Sequence, residues 1–177
     1  GQKCSAASRA YIPKDMWPEV KKTVVGQVGD FKMGTPEDTS NFITAVIDEK
    51  AFDKIADYID YCKNASDAEI VIGGNYDKSE GYFIEPTVVL ASDPKYTTMC
   101  EEIFGPLYPI ITIDDTGLSN DAVMEQMLKY ANDTQAGLAS YVFSADNEVL
   151  AQCQRQLQYG MVGCNTAILG NAAAPFG

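Results

Sequence analysis

Apolar residues recur at intervals of three and four along the stretch that begins at Asp48. They fall on one face of a helix, while Asp and Lys residues occupy the opposite face, and this pattern is typical of a helix packed on a sheet. The apolar positions are Phe52, Ile55, Ala56, Ile59 and Cys62. The pattern therefore predicts an amphipathic helix that begins at Asp48.

Three further stretches show a similar spacing. A helix capped by Asp15 is expected to present Trp17, Val20, Val24, Val25 and Val28. A helix over residues 119–132 is expected to turn Ala122, Val123, Met127 and Tyr130 inward. A third helix is predicted over residues 145–158.

Short β-branched and apolar runs separate these helices. They predict strands over residues 9–13, 69–72, 82–84, 87–90, 108–114, 138–144 and 161–164. Gly73 and Gly74 are expected to form a turn, and residues 75–80 a polar turn. Strands that alternate with helices of this length indicate an α/β fold, in which helices cover a mainly parallel sheet. The 177 residues suffice for one such domain, residues 1–177.

The charge balance narrows the possible partners. The chain has 13 Lys and Arg residues against 25 Asp and Glu residues, a formal net charge of −12. Such a chain is repelled by nucleic-acid phosphates and by anionic membrane surfaces. No apolar run approaches the ~18 residues of a membrane span. We therefore expect neither a nucleic-acid partner nor a membrane partner.

Histidine is absent and the five cysteines are widely spaced. The first fact removes histidine-based catalytic triads, and the second, with no Cys-x-x-Cys pair, argues against a disulfide framework and a metal site. A reducing compartment is expected, either the cytoplasm or the mitochondrial matrix, and not secretion.

Cys4 has the most suggestive surroundings of the five thiols. Small residues follow it and the cationic Lys3 precedes it. If residues 5–9 begin a helical turn, backbone N–H groups and the helix dipole favour a Cys4 thiolate. An ordinary free cysteine is the alternative.

Three motifs together resemble those of the aldehyde dehydrogenase superfamily. Residues 1–6 (GQKCSA) are similar to its catalytic-cysteine motif, residues 101–106 (EEIFGP) to its Glu-x-Phe cofactor motif, and residues 175–177 (PFG) to its Pro-Phe-Gly-Gly segment. The motifs occur in the family's order. The separation of Cys4 from Glu102 is also close to the usual one.

The resemblance implies a mechanism and a set of site residues. Cys4 is the implied nucleophile, and its backbone amide helps to stabilise the oxyanion. Glu102 is implied to bind the nicotinamide-ribose hydroxyls of NAD, or of NADP, and Phe104 to flank that end of the cofactor. The alternatives are an exposed helix-end carboxylate and a core aromatic residue. A homo-oligomeric full-length protein is also implied.

The resemblance also shows which parts of the family's machinery these residues lack. Family members have a dinucleotide-binding domain, an oxyanion Asn and a general-base Glu before the cysteine, and no glycine-rich fingerprint occurs here. The chain is therefore expected to be a catalytic-domain fragment. By itself, it is expected to fold or assemble with little or no turnover.

Two branches of the family are candidates for the substrate assignment, with L-glutamate γ-semialdehyde as the expected substrate and succinate semialdehyde as the alternative. Residues 1–9, 45–50, 81–86 and 101–106 are most similar to the Δ1-pyrroline-5-carboxylate dehydrogenases, which oxidise L-glutamate γ-semialdehyde in proline catabolism. Residues 159–166 and 174–177 are more similar to the succinate-semialdehyde dehydrogenases. Both branches anchor the substrate carboxylate in the loop of residues 165–175. The candidate substrate-binding residues there are Asn165, Thr166, Gly170 and Asn171. An ordinary turn is the alternative for this loop.

Overall fold

The computed structural model describes residues 1–167 of the chain, which divide into two compact units. The first unit contains residues 1–2 and 8–112. Residues 3–7 belong with residues 113–167 in the second unit. Gly170, Asn171 and the PFG motif lie outside the described residues.

The first unit contains most of the sheet and three of the helices. In chain order its elements are β1 (Ala10–Pro13), α1 (Trp17–Gly29), α2 (Glu49–Asn64), β2 (Ala68–Ile72), β3 (Tyr76–Asp77), β4 (Phe83–Ile84), β5 (Thr87–Ala91), α3 (Thr97–Cys100) and β6 (Leu107–Ile113), of which the last residue belongs to the second unit. The second unit continues with α4 (Asn120–Asn132), β7 (Ala139–Val142), α5 (Asn147–Gln156) and β8 (Met161–Cys164).

The main sheet has four strands in the order β1-β6-β5-β2. Strands β5 and β6 run parallel, and so do β7 and β8 in the second unit. The α/β fold with a mainly parallel sheet is therefore confirmed. Strand β2 pairs antiparallel with β5, because the chain between them reverses without the crossover helix that a parallel pair needs.

Helix α2 matches its prediction residue for residue. The Asp48 side chain accepts a hydrogen bond of 2.7 Å from the Ala51 backbone N–H, an N-cap that contributes about 1 kcal/mol. Phe52, Ile55, Ala56, Ile59 and Cys62 are all buried. The helix therefore begins where its first backbone donors gain a partner, and it buries the predicted face.

Two local predictions were wrong. The N-cap of α1 is Met16, not Asp15, and it makes no side-chain capping bond. Pro18 lies in the first turn of α1, where its fixed φ suits the helix start. The expected polar turn over residues 75–80 contains β3, which pairs with β4 as a two-stranded sheet.

The inward face of α4 also differs from its prediction. Val123 is buried as expected, but Met124 and Leu128 complete the buried set, while Ala122, Met127 and Tyr130 are only partly buried. Met124 and Leu128 form an apolar cluster with Cys153 and Leu157. The face that meets α5 is therefore the one buried, and the sequence of α4 alone does not specify it.

No helix within residues 1–167 is long and apolar enough to cross a membrane.

Gly73 and Gly74, which were expected to form a turn, connect β2 to β3 and have positive φ angles of 82° and 95°. A Cβ on Gly73 would lie 2.2 Å from the Pro86 carbonyl oxygen and 2.9 Å from Thr87 Cα. The Gly74 N–H donates a 2.9 Å hydrogen bond to the buried Thr87 hydroxyl. Gly73 is therefore required both for its backbone conformation and for the close approach of the chain after β4.

We predict that Gly73→Ala lowers the free energy of unfolding by about 3 kcal/mol, because positive-φ strain adds to the backbone overlap. Gly117→Ala is the matched control. Its φ is also positive, at 73°, but nothing lies within 4 Å of the added Cβ, so the loss should be about 1 kcal/mol. Urea unfolding measures both, and equal losses would contradict the close approach at Gly73.

Candidate active site

Cys4 lies in a tight turn at the start of the second unit. The turn is closed by the Ala6 backbone N–H, which donates a 3.0 Å hydrogen bond to the Lys3 carbonyl. The Cys4 side chain is exposed, and Ser5 and Ala6 are half-buried. Residues 5–9 form no helix, so the helix dipole that the sequence suggested is not available to the thiol. The turn itself presents Cys4 to solvent.

The EEIFGP segment follows helix α3 in the first unit and alternates between exposed and buried residues. The Glu102 and Phe104 side chains are exposed, whereas Ile103 and Gly105 are buried. Phe104 is 48% exposed and has a φ of 59°. A positive φ is unusual for a residue with a bulky side chain, and such strain concentrates at functional sites. The segment thus holds a carboxylate and an aromatic ring out toward solvent.

Two side chains of α2 donate hydrogen bonds to this segment. Lys54 Nζ donates a 2.7 Å hydrogen bond to the Glu102 backbone carbonyl. One helical turn later, the Tyr58 hydroxyl donates to the Glu101 carboxylate. The bond to Glu101, burial and the charge of Glu101 raise the pKa of Tyr58 to about 12. The Tyr58 hydroxyl therefore remains a donor to Glu101 at neutral pH.

Sequence reasoning missed Lys54 and Tyr58. Their spacing of four places them on the same side of α2, beside the buried Ile55. A Cβ on Gly105 would lie 2.4 Å from Ile55 Cδ1, so the segment lies directly against this helix. The spacing was visible in the sequence, but the partner segment was not.

Asn165 follows β8 in the second unit and has a φ of 52°. Its side-chain amide uses both ends on one residue: Nδ2 donates to the Ser144 carbonyl at 2.9 Å, and Oδ1 accepts from the Ser144 N–H at 2.9 Å. Its own N–H donates to the Val142 carbonyl. In this arrangement Asn165 holds the end of β8, and Thr166 is half-buried beside it. Substrate binding by Asn165, Thr166, Gly170 and Asn171 stays a prediction.

The five cysteines differ in their surroundings, and all five are free thiols. Cys62 and Cys153 are buried, and burial raises the pKa of each thiol. Cys100, the last residue of α3, is exposed like Cys4. Exposure therefore does not distinguish Cys4 from Cys100. Residues 1–167 contain no cluster of three Cys, Asp or Glu side chains suited to a metal ion.

Comparison with known proteins gives consistent matches. The aldehyde dehydrogenase family model matches residues 1–177. A mitochondrial Delta-1-pyrroline-5-carboxylate dehydrogenase from Dictyostelium discoideum is 40% identical over 100% of this chain and 32% of that protein. The chain thus spans about a third of that relative's length.

Solved structures agree with these matches. A Thermus 1-pyrroline-5-carboxylate dehydrogenase with bound NAD is 33% identical, with a TM-score of 0.84, over 97% of this chain and 31% of that one. An NAD⁺ complex of an aldehyde dehydrogenase from Bacillus cereus is 30% identical, with a TM-score of 0.87, over 100% of this chain and 34% of that one.

We predict that limiting iodoacetamide alkylates Cys4 first and Cys100 second, and reaches Cys62 and Cys153 last. Cys4 and Cys100 are both exposed, and Cys4 precedes Cys100 because the cationic Lys3 is adjacent to it. Burial and a raised pKa keep the Cys62 and Cys153 thiols protonated and shielded. Peptide mass mapping measures the order, and labelling in urea, where all five thiols should react, is the control. Early labelling of Cys62 or Cys153 would contradict the assignment.

Proposed function

The chain belongs to the aldehyde dehydrogenase family, and from this premise we propose that residues 1–177 form the catalytic domain of an NAD-dependent dehydrogenase that oxidises L-glutamate γ-semialdehyde to L-glutamate. The observation that supports this most directly is the exposed Cys4 thiol in its closed turn. The names of the Dictyostelium and Thermus relatives support the substrate.

In the proposed reaction Cys4 is the nucleophile. Its thiolate sulfur attacks the aldehyde carbon, and the carbonyl oxygen becomes the oxyanion of a thiohemiacetal. Loss of a hydride from that carbon leaves a thioester on Cys4. Water then attacks the thioester and the carbon–sulfur bond breaks. One proton of the water restores the Cys4 thiol, and the other passes to solvent as the carboxylate leaves. The Cys4 backbone N–H is the proposed donor to the oxyanion.

The residues of the EEIFGP segment fit the nicotinamide end of NAD. Glu102 offers an exposed carboxylate that can accept hydrogen bonds from ribose hydroxyls. Phe104 offers an exposed ring on a backbone of positive φ, which can pack against a flat heterocycle. When bound, NAD accepts the hydride. Lys54 and Tyr58 hold the segment, so these two groups are preorganised before the cofactor arrives.

We assign the adenine and pyrophosphate contacts, the general base and the choice between NAD and NADP to a dinucleotide-binding domain outside these 177 residues. The support is that the chain lacks a glycine-rich fingerprint and spans about a third of its relative's length. We also propose that the full-length protein is a homo-oligomer, as the family resemblance implies. Five free thiols support a reducing compartment, the cytoplasm or the mitochondrial matrix.

We predict that a chain extended upstream of Gly1 by a dinucleotide-binding domain produces NADH from L-glutamate γ-semialdehyde, with kcat/KM about tenfold or more above that for succinate semialdehyde. The two substrates differ by the α-amino group and one carbon, which a site built for the first can discriminate. The 177-residue chain alone should give little or no NADH, because it lacks a base and a dinucleotide site.

Absorbance of NADH at 340 nm measures these rates, and Cys4→Ala in the extended chain is the control that should abolish turnover. A reversed substrate preference would make succinate semialdehyde the substrate. Sustained turnover by Cys4→Ala would contradict the assignment of Cys4 as the nucleophile. Multiple turnovers by the 177-residue chain alone would overturn its description as an incomplete catalytic domain.

We predict that Glu102→Gln in the extended chain slows hydride transfer about tenfold while leaving thiol attack nearly unchanged, because a misplaced nicotinamide ring spoils only the transfer geometry. Single-turnover kinetics with aldehyde deuterated at C1 separates the two steps, since the isotope effect should increase. Glu125→Gln, which removes an exposed carboxylate on α4, is the matched control. Normal turnover with an unchanged isotope effect would make Glu102 structural only.

A further inference from the structure

The turn that contains Cys4 is tied to strand β7 by one side chain that the sequence did not single out. The Tyr141 hydroxyl donates a 2.5 Å hydrogen bond to the Ser5 backbone carbonyl, across 136 positions of the sequence. Both residues belong to the second unit and both are half-buried. This bond therefore reaches the residue directly after the candidate nucleophile.

The bond acts on a peptide group that is already held from its other side. The Ser5 carbonyl and the Ala6 N–H belong to the same planar peptide unit. The Ala6 N–H closes the turn on the Lys3 carbonyl at 3.0 Å, and the Ser5 carbonyl accepts from Tyr141. Because the unit is planar, these two bonds together fix its orientation. The hydrogen bond that closes the turn does not use the N–H of Cys4.

Strand pairing determines where the Tyr141 ring lies. Tyr141 on β7 is the register partner of Gly163 on β8. A Cβ on Gly163 would lie 2.9 Å from Tyr141 Cδ1, so the ring lies closely over this glycine. The two hydrogen bonds between Asn165 and Ser144 join the residues that follow β8 and β7. The ring is therefore supported by rigid strands, and its hydroxyl has a fixed position.

We propose that Tyr141 is a positioning residue for the Cys4 nucleophile: through the Ser5 carbonyl it fixes the turn that presents both the Cys4 thiol and the Cys4 backbone N–H. The inference rests on the proposed function, in which Cys4 is acylated. Without the hydroxyl, the Ser5–Ala6 peptide keeps only its bond to Lys3 and gains freedom to rotate. The Cys4 N–H then no longer points reliably at a developing oxyanion.

Two reagents distinguish this role from simple loss of structure. p-Nitrophenyl acetate is attacked at its acyl carbon by the thiolate, its carbonyl oxygen becomes an oxyanion, and p-nitrophenolate leaves as a thioester forms on Cys4. Iodoacetamide is attacked at its CH₂ carbon and loses iodide, and no oxyanion forms. Both reactions consume the same thiolate, so the fraction of Cys4 present as thiolate cancels from the ratio of their rates. Only the first reaction depends on an oriented N–H.

We predict that Tyr141→Phe lowers the rate of Cys4 acylation by p-nitrophenyl acetate about tenfold, whereas Cys4 alkylation by iodoacetamide changes less than about twofold. The loss should be smaller than the roughly hundredfold effect of deleting an oxyanion donor, because the N–H remains present but less well placed. Peptide mass mapping of the 177-residue chain counts the adducts at Cys4 separately from those at Cys100.

Tyr159→Phe is the matched control variant. The Tyr159 hydroxyl also donates a 2.5 Å hydrogen bond to a backbone carbonyl, that of Ala131, within the second unit. Removing it should lower the thermal midpoint about as much as Tyr141→Phe does, and should leave both reactions of Cys4 unchanged. This comparison separates the position of the hydrogen bond from the general cost of losing one.

Four outcomes would overturn the inference. Equal slowing of acylation and alkylation in Tyr141→Phe would mean general loosening of the turn, and unchanged rates of both would mean that Tyr141 has no influence on Cys4. A selective loss in Tyr159→Phe as well would make the effect one of stability. If Cys4 of the parent chain is alkylated but never acylated, the proposed nucleophile fails, and the inference fails with it.

Discussion

Burial of one face of helix α2 is the constraint on which the first unit depends. Five apolar side chains of this helix are buried, and Ile55 among them is in such close contact with the EEIFGP segment that a Cβ on Gly105 would overlap it. Because the apolar face fixes the rotation of the helix, Lys54 and Tyr58 are brought to the same segment. The packing of α2 therefore buries the core and, at the same time, positions the segment that presents the Glu102 and Phe104 side chains.

In the second unit, hydrogen bonds rather than apolar packing hold the turn that contains Cys4. Cys4 is exposed, so burial cannot hold it. The orientation of its turn instead depends on the two bonds of the Ser5–Ala6 peptide, one local and one from Tyr141. A hydrogen bond of this kind contributes only about 1 kcal/mol to stability, but it acts beside the reacting group, where small displacements change rates more than they change folding.

Both units contain a residue with positive φ at a candidate functional segment. Phe104 follows Glu102, and Asn165 follows β8. Such conformations cost about 1–3 kcal/mol and persist where neighbouring contacts determine them. At Asn165 the determining contacts are the paired bonds to Ser144. At Phe104 they are the buried neighbours Ile103 and Gly105 and the bond from Lys54 to Glu102. The hydrogen bonds from Lys54 and those with Ser144 come from elements distant in sequence.

The sequence by itself determined the motif residues and most of the helices and strands, but not β3, which it predicted as part of a polar turn. Periodicity specified the five buried residues of α2, and the GQKCSA and EEIFGP motifs indicated the family and the side chains of Cys4, Glu102 and Phe104, because these signals are local or depend on residue type alone. The tertiary structure alone decided which face α4 buries, that Cys100 is exposed, and which donors hold the motifs. Lys54, Tyr58 and Tyr141 meet their partners 48, 43 and 136 positions away. A single sequence encodes the tendency of a residue to be buried, whereas the pairing of distant polar groups depends on helix rotation and strand register, which are set only when the whole unit packs.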